Sequence, residues 1–121
     1  MLSSILLVEG HDDMRAALRD WLTVSLASPR LSEARNLQEA LDQAELAIPD
    51  LVLMNLELPG ANGIEATREL RRRCPSCPVV IMSVNDSEAL RSAALGAGAV
   101  AFVSKRALPH GLLTVLGRIG I

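Results

Sequence analysis

The sequence predicts an α/β fold in which helices cover both faces of a parallel sheet. Three observations carry that prediction. Short apolar runs alternate with stretches of helical period, giving strand then helix five times over. The apolar runs lack the hydrophobic/polar alternation of a half-solvated sheet, so both their faces need cover. The intervening helical stretches are long enough to make the right-handed crossovers that parallel strands require. At 121 residues the chain is expected to form one domain, 1–121, able to bury a sizeable core.

Each element follows from local pattern. Ser4 to Glu9 (SILLVE) reads as a buried strand. Asp12 then reads as an N-cap, and Met14, Ala17, Leu18, Trp21 and Leu22 make one apolar stripe at helical spacing. A weak strand at Leu31 to Ala34 precedes a helix whose face is Leu37, Ala40, Leu41 and Ala44. After Pro49 comes the strand Asp50 to Asn55. Pro59-Gly60 and Asn62-Gly63 punctuate a loop, and Ile64 to Arg73 continues as an amphipathic helix. Pro78 to Ser83 (PVVIMS) has strong β-branched character, and Asp86 to Leu95 is an Ala-rich helix closed by Gly96-Ala97-Gly98. Val100 to Ser104 is the last strand and Pro109 to about Ile119 the last helix.

Composition narrows the function. Net charge is −2, so the domain has no overall basic footprint for nucleic acid. Trp21 and Phe102 are the only aromatics, which leaves no stacking platform for single strands. The start MLSSILLVEG lacks a basic n-region, and no apolar run approaches the ~18–20 residues of a membrane span. A cytoplasmic address is the expectation. Two cysteines are too few for a disulfide framework and suit a reducing compartment.

In open parallel sheets, sites lie beyond the carboxyl ends of the strands. Those ends carry Glu9, Asn55, Ser83 and Lys105, the last being the only lysine among twelve basic residues. VEGHDDMRAAL after the first strand, PDLVLMNLELPGANG around the third, PVVIMS at the fourth and AFVSK at the fifth together resemble the receiver domain of bacterial response regulators. The ending SKRALPHGLL is most similar to the NarL/FixJ subfamily. The resemblance spans essentially the whole chain and implies a CheY-like (βα)5 fold with strand order 2-1-3-4-5.

It also implies roles. In that family a pair of acids after the first strand helps bind Mg²⁺, and an Asp ending the third strand takes a phosphoryl group from a histidine kinase. A Ser or Thr and a Lys contact the phosphoryl oxygens, and an aromatic on the fifth strand repositions with the Ser or Thr. Glu9 and Gly10 fall on the acid pair, Asn55 on the phosphoacceptor, Ser83 on the hydroxyl, Phe102 on the switch aromatic and Lys105 on the lysine.

Two of these positions depart from the pattern. Asn is neutral and its amide lone pair is delocalised, so Asn55 cannot form the acyl phosphate that an Asp carboxylate forms. With Gly10 and Asn55 in place of two acids, Glu9 is the one charged ligand left of the implied set, and Lys105 offsets it. Mg²⁺ prefers carboxylate oxygens, so its binding is expected to be weak or absent, with no other cofactor. Glu9 and Lys105 are expected to pair across the pocket, with Asn55 donating to one of them.

Other features have plainer accounts. Asp12 and Asp13 suit the positive end of a helix and His11 a solvated loop. Cys74-Pro-Ser-Cys77 follows a helix at its negative end, where thiol activation is not expected, and zinc lacks two further ligands nearby. Arg71, Arg72 and Arg73 suit a solvated helix end. Leu112, Leu113, Val115, Leu116, Ile119 and Ile121 cannot all face one sheet, so part of this tail is expected to meet a dimer mate or an output domain.

The expectation is a non-enzymatic, degenerate receiver, acting through protein contacts in two-component-type signalling or transcription regulation. Two alternatives stay open. One is a small-ligand or anion-binding module using the pocket around Lys105 and Ser83. The other is a phosphorylatable receiver carrying an engineered Asn55, against which Gly10 stands as a second loss.

Overall fold

The structure, a computed structural model, describes residues 4–27 and 29–120. In chain order these form β1 (Ser4–Val8), α1 (Asp12–Ser25), β2 (Arg30–Ala34), α2 (Leu37–Leu46), β3 (Leu51–Asn55), β4 (Glu57–Leu58), β5 (Ala61–Asn62), α3 (Gly63–Arg73), β6 (Val79–Ser83), α4 (Glu88–Gly96), β7 (Ala101–Ser104), a 3-10 turn (Lys105–Ala107) and α5 (His110–Ile119). Strands β2, β1, β3, β6 and β7 pair in that order as one parallel sheet. Counted among the sheet strands alone, this is the expected order 2-1-3-4-5.

The missing alternation of the apolar runs has its cause in two cores. Leu6, Val8, Val52, Met54 and Ile81 point to one face, where Ala40, Leu41, Ala66, Leu70 and Ala94 of α2, α3 and α4 cover them. Ile5, Leu7, Leu53, Val80 and Met82 point to the other, against Leu18 and Leu22 of α1 and Leu112 and Leu116 of α5. Strand residues alternate between two apolar faces, not between core and water. Each fully buried aliphatic side chain contributes about 1.5–3 kcal/mol over an exposed one.

Asn36, Asn62 and Ser87 cap α2, α3 and α4 by accepting from Glu39 N, Glu65 N and Leu90 N. Asp12 is not the cap expected of it. His11 precedes α1 with extended backbone and no side-chain cap bond, and Asp12 is already helical. Its carboxylate instead meets Arg15 at 2.7 Å, three residues on, which an acid in the first turn can do while also favouring the positive helix end.

The segment after β3 was expected as a loop and is a small antiparallel ribbon, β4 with β5. Pro59-Gly60 turns it, and Gly60 at φ 71° takes the left-handed position a type II turn needs. The cysteines also differ from expectation: Cys74 and Cys77 are disulfide-bonded. The chain turns at the end of α3, with Cys77 N donating to Cys74 O, and this brings the Cα atoms to 5.6 Å, inside the bridging range.

Arg71, Arg72 and Arg73 do close α3: Arg71 bonds the Pro75 and Cys77 carbonyls, and Arg72 and Arg73 meet Glu69. In the tail, Leu112 and Leu116 are buried, Val115 and Ile119 are partly covered, and Leu113 is exposed. Ile121 lies outside the described residues. Among the described residues, no helix is long and apolar enough to cross a membrane.

Candidate functional site

The carboxyl ends of β1, β3, β6 and β7 converge as the parallel sheet requires. Glu9 follows β1 and is tied to β2 by Glu9 N donating to Ala34 O. Arg15 Nη1 donates to the Glu9 carbonyl at 2.9 Å, anchoring the turn into α1. Asn55 ends β3, Ser83 ends β6, and Lys105 opens the turn after β7.

Glu9 is 1% exposed, and a carboxylate so deeply buried must be fully hydrogen-bonded or paired. It is both. Lys105 Nζ meets Oε1 at 3.0 Å. Oε2 accepts from Asn55 Nδ2 at 3.0 Å and from His11 N at 3.2 Å. The expected Glu9–Lys105 pair is thus present, with Asn55 as its third member.

Asn55 donates a second time, from the same Nδ2 to the Glu57 carbonyl at 2.6 Å. Two acceptors on one side fix which end of the amide is nitrogen, since the flipped amide would set oxygen against both. Its Oδ1 is buried and has no partner. A carboxylate in this position would face the same two oxygens with no proton to offer.

Sequence reasoning missed Glu57. Its backbone holds Asn55, and its side-chain Oε1 accepts from Ser83 Oγ at 3.0 Å, while Ser83 Oγ accepts from Asn85 N at 3.0 Å. The available signal was its place two residues beyond the strand end, in the turn that folds back over the site. Ser83 is therefore connected to the cluster through Glu57, not through Lys105.

Gly10 packs closely against the Pro59 ring. A Cβ there would stand 2.5 Å from Pro59 Cδ and 2.8 Å from Pro59 Cγ. The β4–β5 turn thus occupies the space that a side chain at 10 would need. Phe102 lies apart from this cluster, buried at 5% exposure in the core under α4. Arg91 of α4 holds it there, with its guanidinium 5.2 Å from the ring centroid and Nη1 donating to the Phe102 carbonyl at 3.1 Å.

Above the cluster lies a cleft of about 760 Å³, lined by Glu9, Asn55, Glu57 and Lys105 on its floor and by Met14, Ala17, Leu58, Pro59 and Val84 on its walls. Among the described residues, no group of three or more His, Cys, Asp and Glu side chains is arranged to hold a metal ion.

Comparison with known proteins agrees with this architecture. The model of the response regulator receiver domain matches residues 5–116. The transcriptional activator protein ExaE of Pseudomonas putida is 39% identical over 115 residues, covering 95% of this chain and 54% of the relative. The nitrate/nitrite response regulator protein NarL of Escherichia coli K12 is 32% identical, covering 94% and 53%. The chain spans about half the length of these curated relatives. Among solved structures, a LuxR-family two-component response regulator from Aurantimonas sp. superposes with TM-score 0.92 at 30% identity, over 98% of this chain and 85% of that one. The receiver domain of the NarL response regulator of Mycobacterium tuberculosis has the same fold, with TM-score 0.86 at 24% identity, over 97% and 95%.

Proposed function

The chain belongs to the response regulator receiver family, of the CheY-like, NarL/LuxR type, and from that premise we propose that it is a degenerate receiver signalling without aspartyl phosphorylation. Receiver domains are signalling modules of two-component systems, and residues 1–121 act as one such module with no enzymatic step of their own.

A single observation supports this reading. Asn55 acts as a hydrogen-bond donor, through one Nδ2, to Glu9 Oε2 and Glu57 O. A phosphoacceptor must present a nucleophilic oxygen, and the group at this position instead presents N–H to two oxygens. Its remaining oxygen belongs to an amide, whose attack on phosphorus would yield no stable acyl phosphate.

Mg²⁺, the metal the family implies, does not fit the residues present. Both Glu9 oxygens are engaged, by Lys105 and by Asn55 with His11. Gly10 supplies no ligand, and one Glu57 oxygen already accepts from Ser83. Asn55 Oδ1, Glu57 Oε2 and Asp13 are free acceptors, but among the described residues no three His, Cys, Asp or Glu side chains gather to give a hard dication the several ligands it requires.

The hydrogen-bonded cluster holds one arrangement of the strand ends, and Arg91 holds Phe102 inward. Output then passes through protein contacts. The exposed apolar residues Leu95, Val100 and Leu113 on and beside α4 and α5 are the surface we assign to a second copy or an output domain. A cytoplasmic transcription regulator is the whole-protein reading.

The test is intact-mass spectrometry after incubation with acetyl phosphate and Mg²⁺. The expected mass is unchanged. Stoichiometric phosphoryl addition lost on Asn55→Ala would overturn the reading.

A further inference from the structure

The cleft over the strand ends has an uneven chemistry that the signalling reading does not use. Its walls are apolar, from Met14, Ala17, Leu58, Pro59 and Val84. Its volume of about 760 Å³ is within the usual range for small-molecule sites, which are mostly apolar with a few fixed polar groups.

The polar groups it offers are acceptors. Asn55 is 4% exposed, lines the cleft and leaves Oδ1 without a partner. Glu57 uses Oε1 for Ser83, and among the described residues neither its Oε2 nor the Asp13 carboxylate has a hydrogen-bond or ion-pair partner. The one cationic side chain in the lining, Lys105, is spent on Glu9. With His11 neutral, Glu9, Asp13 and Glu57 against Lys105 leave the lining two charges negative.

This argues against the alternative of an anion site at Lys105 and Ser83. Lys105 has no charge to spare, and the Ser83 hydroxyl donates to one carboxylate while its oxygen takes Asn85 N. An anion entering here would meet uncompensated acceptors. A ligand that brings its own donors meets the opposite situation: satisfying the buried Asn55 Oδ1 removes a desolvation cost, and the exposed Glu57 and Asp13 carboxylates add charge attraction.

We propose that the cleft binds a small organic ammonium. The apolar body lies on the Met14, Ala17 and Val84 side, and the ammonium is turned toward the acceptors of Asn55, Glu57 and Asp13. The proposal rests on the signalling reading only in taking Asn55 to be unmodified. It would supply that module with a ligand input at the place where a phosphoryl input is lost.

The experiment is an amide NMR titration of the 121-residue chain with 2-phenylethylammonium and, separately, 3-phenylpropanoate at pH 8. The two probes share a body and differ in charge. The same sample is checked first by intact mass. A modified Asn55 would count against the signalling reading, whereas failure to bind on unmodified protein counts against this proposal alone.

The ammonium is expected to move the Met14, Ala17 and Val84 amides saturably, with Kd on the order of 1 mM for so small a probe. The carboxylate is expected to bind at least about tenfold more weakly. Ala17→Phe, which fills the cleft, should abolish the shifts. Asp13→Asn, at an exposed side chain whose removal leaves the core untouched, should weaken binding about threefold. Equal binding of the carboxylate, shifts confined to other regions, or no saturable shift overturns the proposal. So does saturable movement of these amides by Mg²⁺ or Ca²⁺ with none by the ammonium, which would make the cleft a metal site.

Discussion

Asn55 Nδ2 and Lys105 Nζ take opposite oxygens of the same buried carboxylate, each at 3.0 Å from Glu9. The three residues come from the ends of three strands, so the bonds tie the carboxyl edge of the sheet together. A buried ion pair of this kind is weak evidence for stability, because desolvation offsets the attraction, but breaking one side of it strands a charge.

Lys105→Met should therefore destabilise the fold by about 3 kcal/mol in urea unfolding, with Glu9 left to Asn55 and His11 alone. Adding Glu9→Gln to the same chain should recover most of the loss. A loss that persists in the double variant would show that Lys105 acts by packing, not by charge.

Asn55→Asp is expected to cost about 2 kcal/mol, since it sets a carboxylate against Glu9 Oε2 and the Glu57 carbonyl. Gly10→Asp is expected to cost about 1–3 kcal/mol for a different reason, the clash of its Cβ with the Pro59 ring. Restoring both acids is thus not expected to restore a working site unless Pro59→Ala is added. Urea midpoints of the single, double and triple variants check this order.

Much of the fold was legible because it follows from burial. Strands such as Leu51–Asn55 are apolar on both faces only when helices cover both faces, so the parallel sheet and its strand ends could be read directly. Capping was less legible: three adjacent polar residues, His11 to Asp13, compete to start α1, and the backbone decides in favour of His11. Glu57 was invisible as a site residue because its role depends on how the Pro59-Gly60 turn folds back. The Cys74–Cys77 bond was missed because thiol activation was weighed, while the turn that brings the Cα atoms together was not.

Arg91→Ala should loosen the inward position of Phe102 at a cost of about 1–2 kcal/mol, removing a bond to its carbonyl and the cation over its ring. The Phe102 ring resonances should broaden or shift while those of Leu53 stay in place. Unchanged Phe102 resonances would show that packing alone holds the ring.

A small acid-dependent term lies on α2. The Arg35 side chain, and then its backbone N–H, hydrogen-bond the Glu39 carboxylate and hold its pKa below the ordinary 4.5. The folded value is thus the lower one, so this stabilisation is complete above about pH 4.5 and fades as pH falls through the folded value. The Tm difference between the unaltered chain and Glu39→Gln should be largest at neutral pH and shrink by about pH 3. A difference that grows in acid would contradict this assignment.

The most direct test of the central claim is the amide NMR spectrum with Mg²⁺ and beryllofluoride, a mimic of a phosphoryl group on a carboxylate. A site closed by Asn55, Glu9 and Lys105, with Ser83 held by Glu57, should leave the amides of Asn55, Ser83, Phe102 and Lys105 unmoved. A second, saturable set of resonances at those four positions would contradict it.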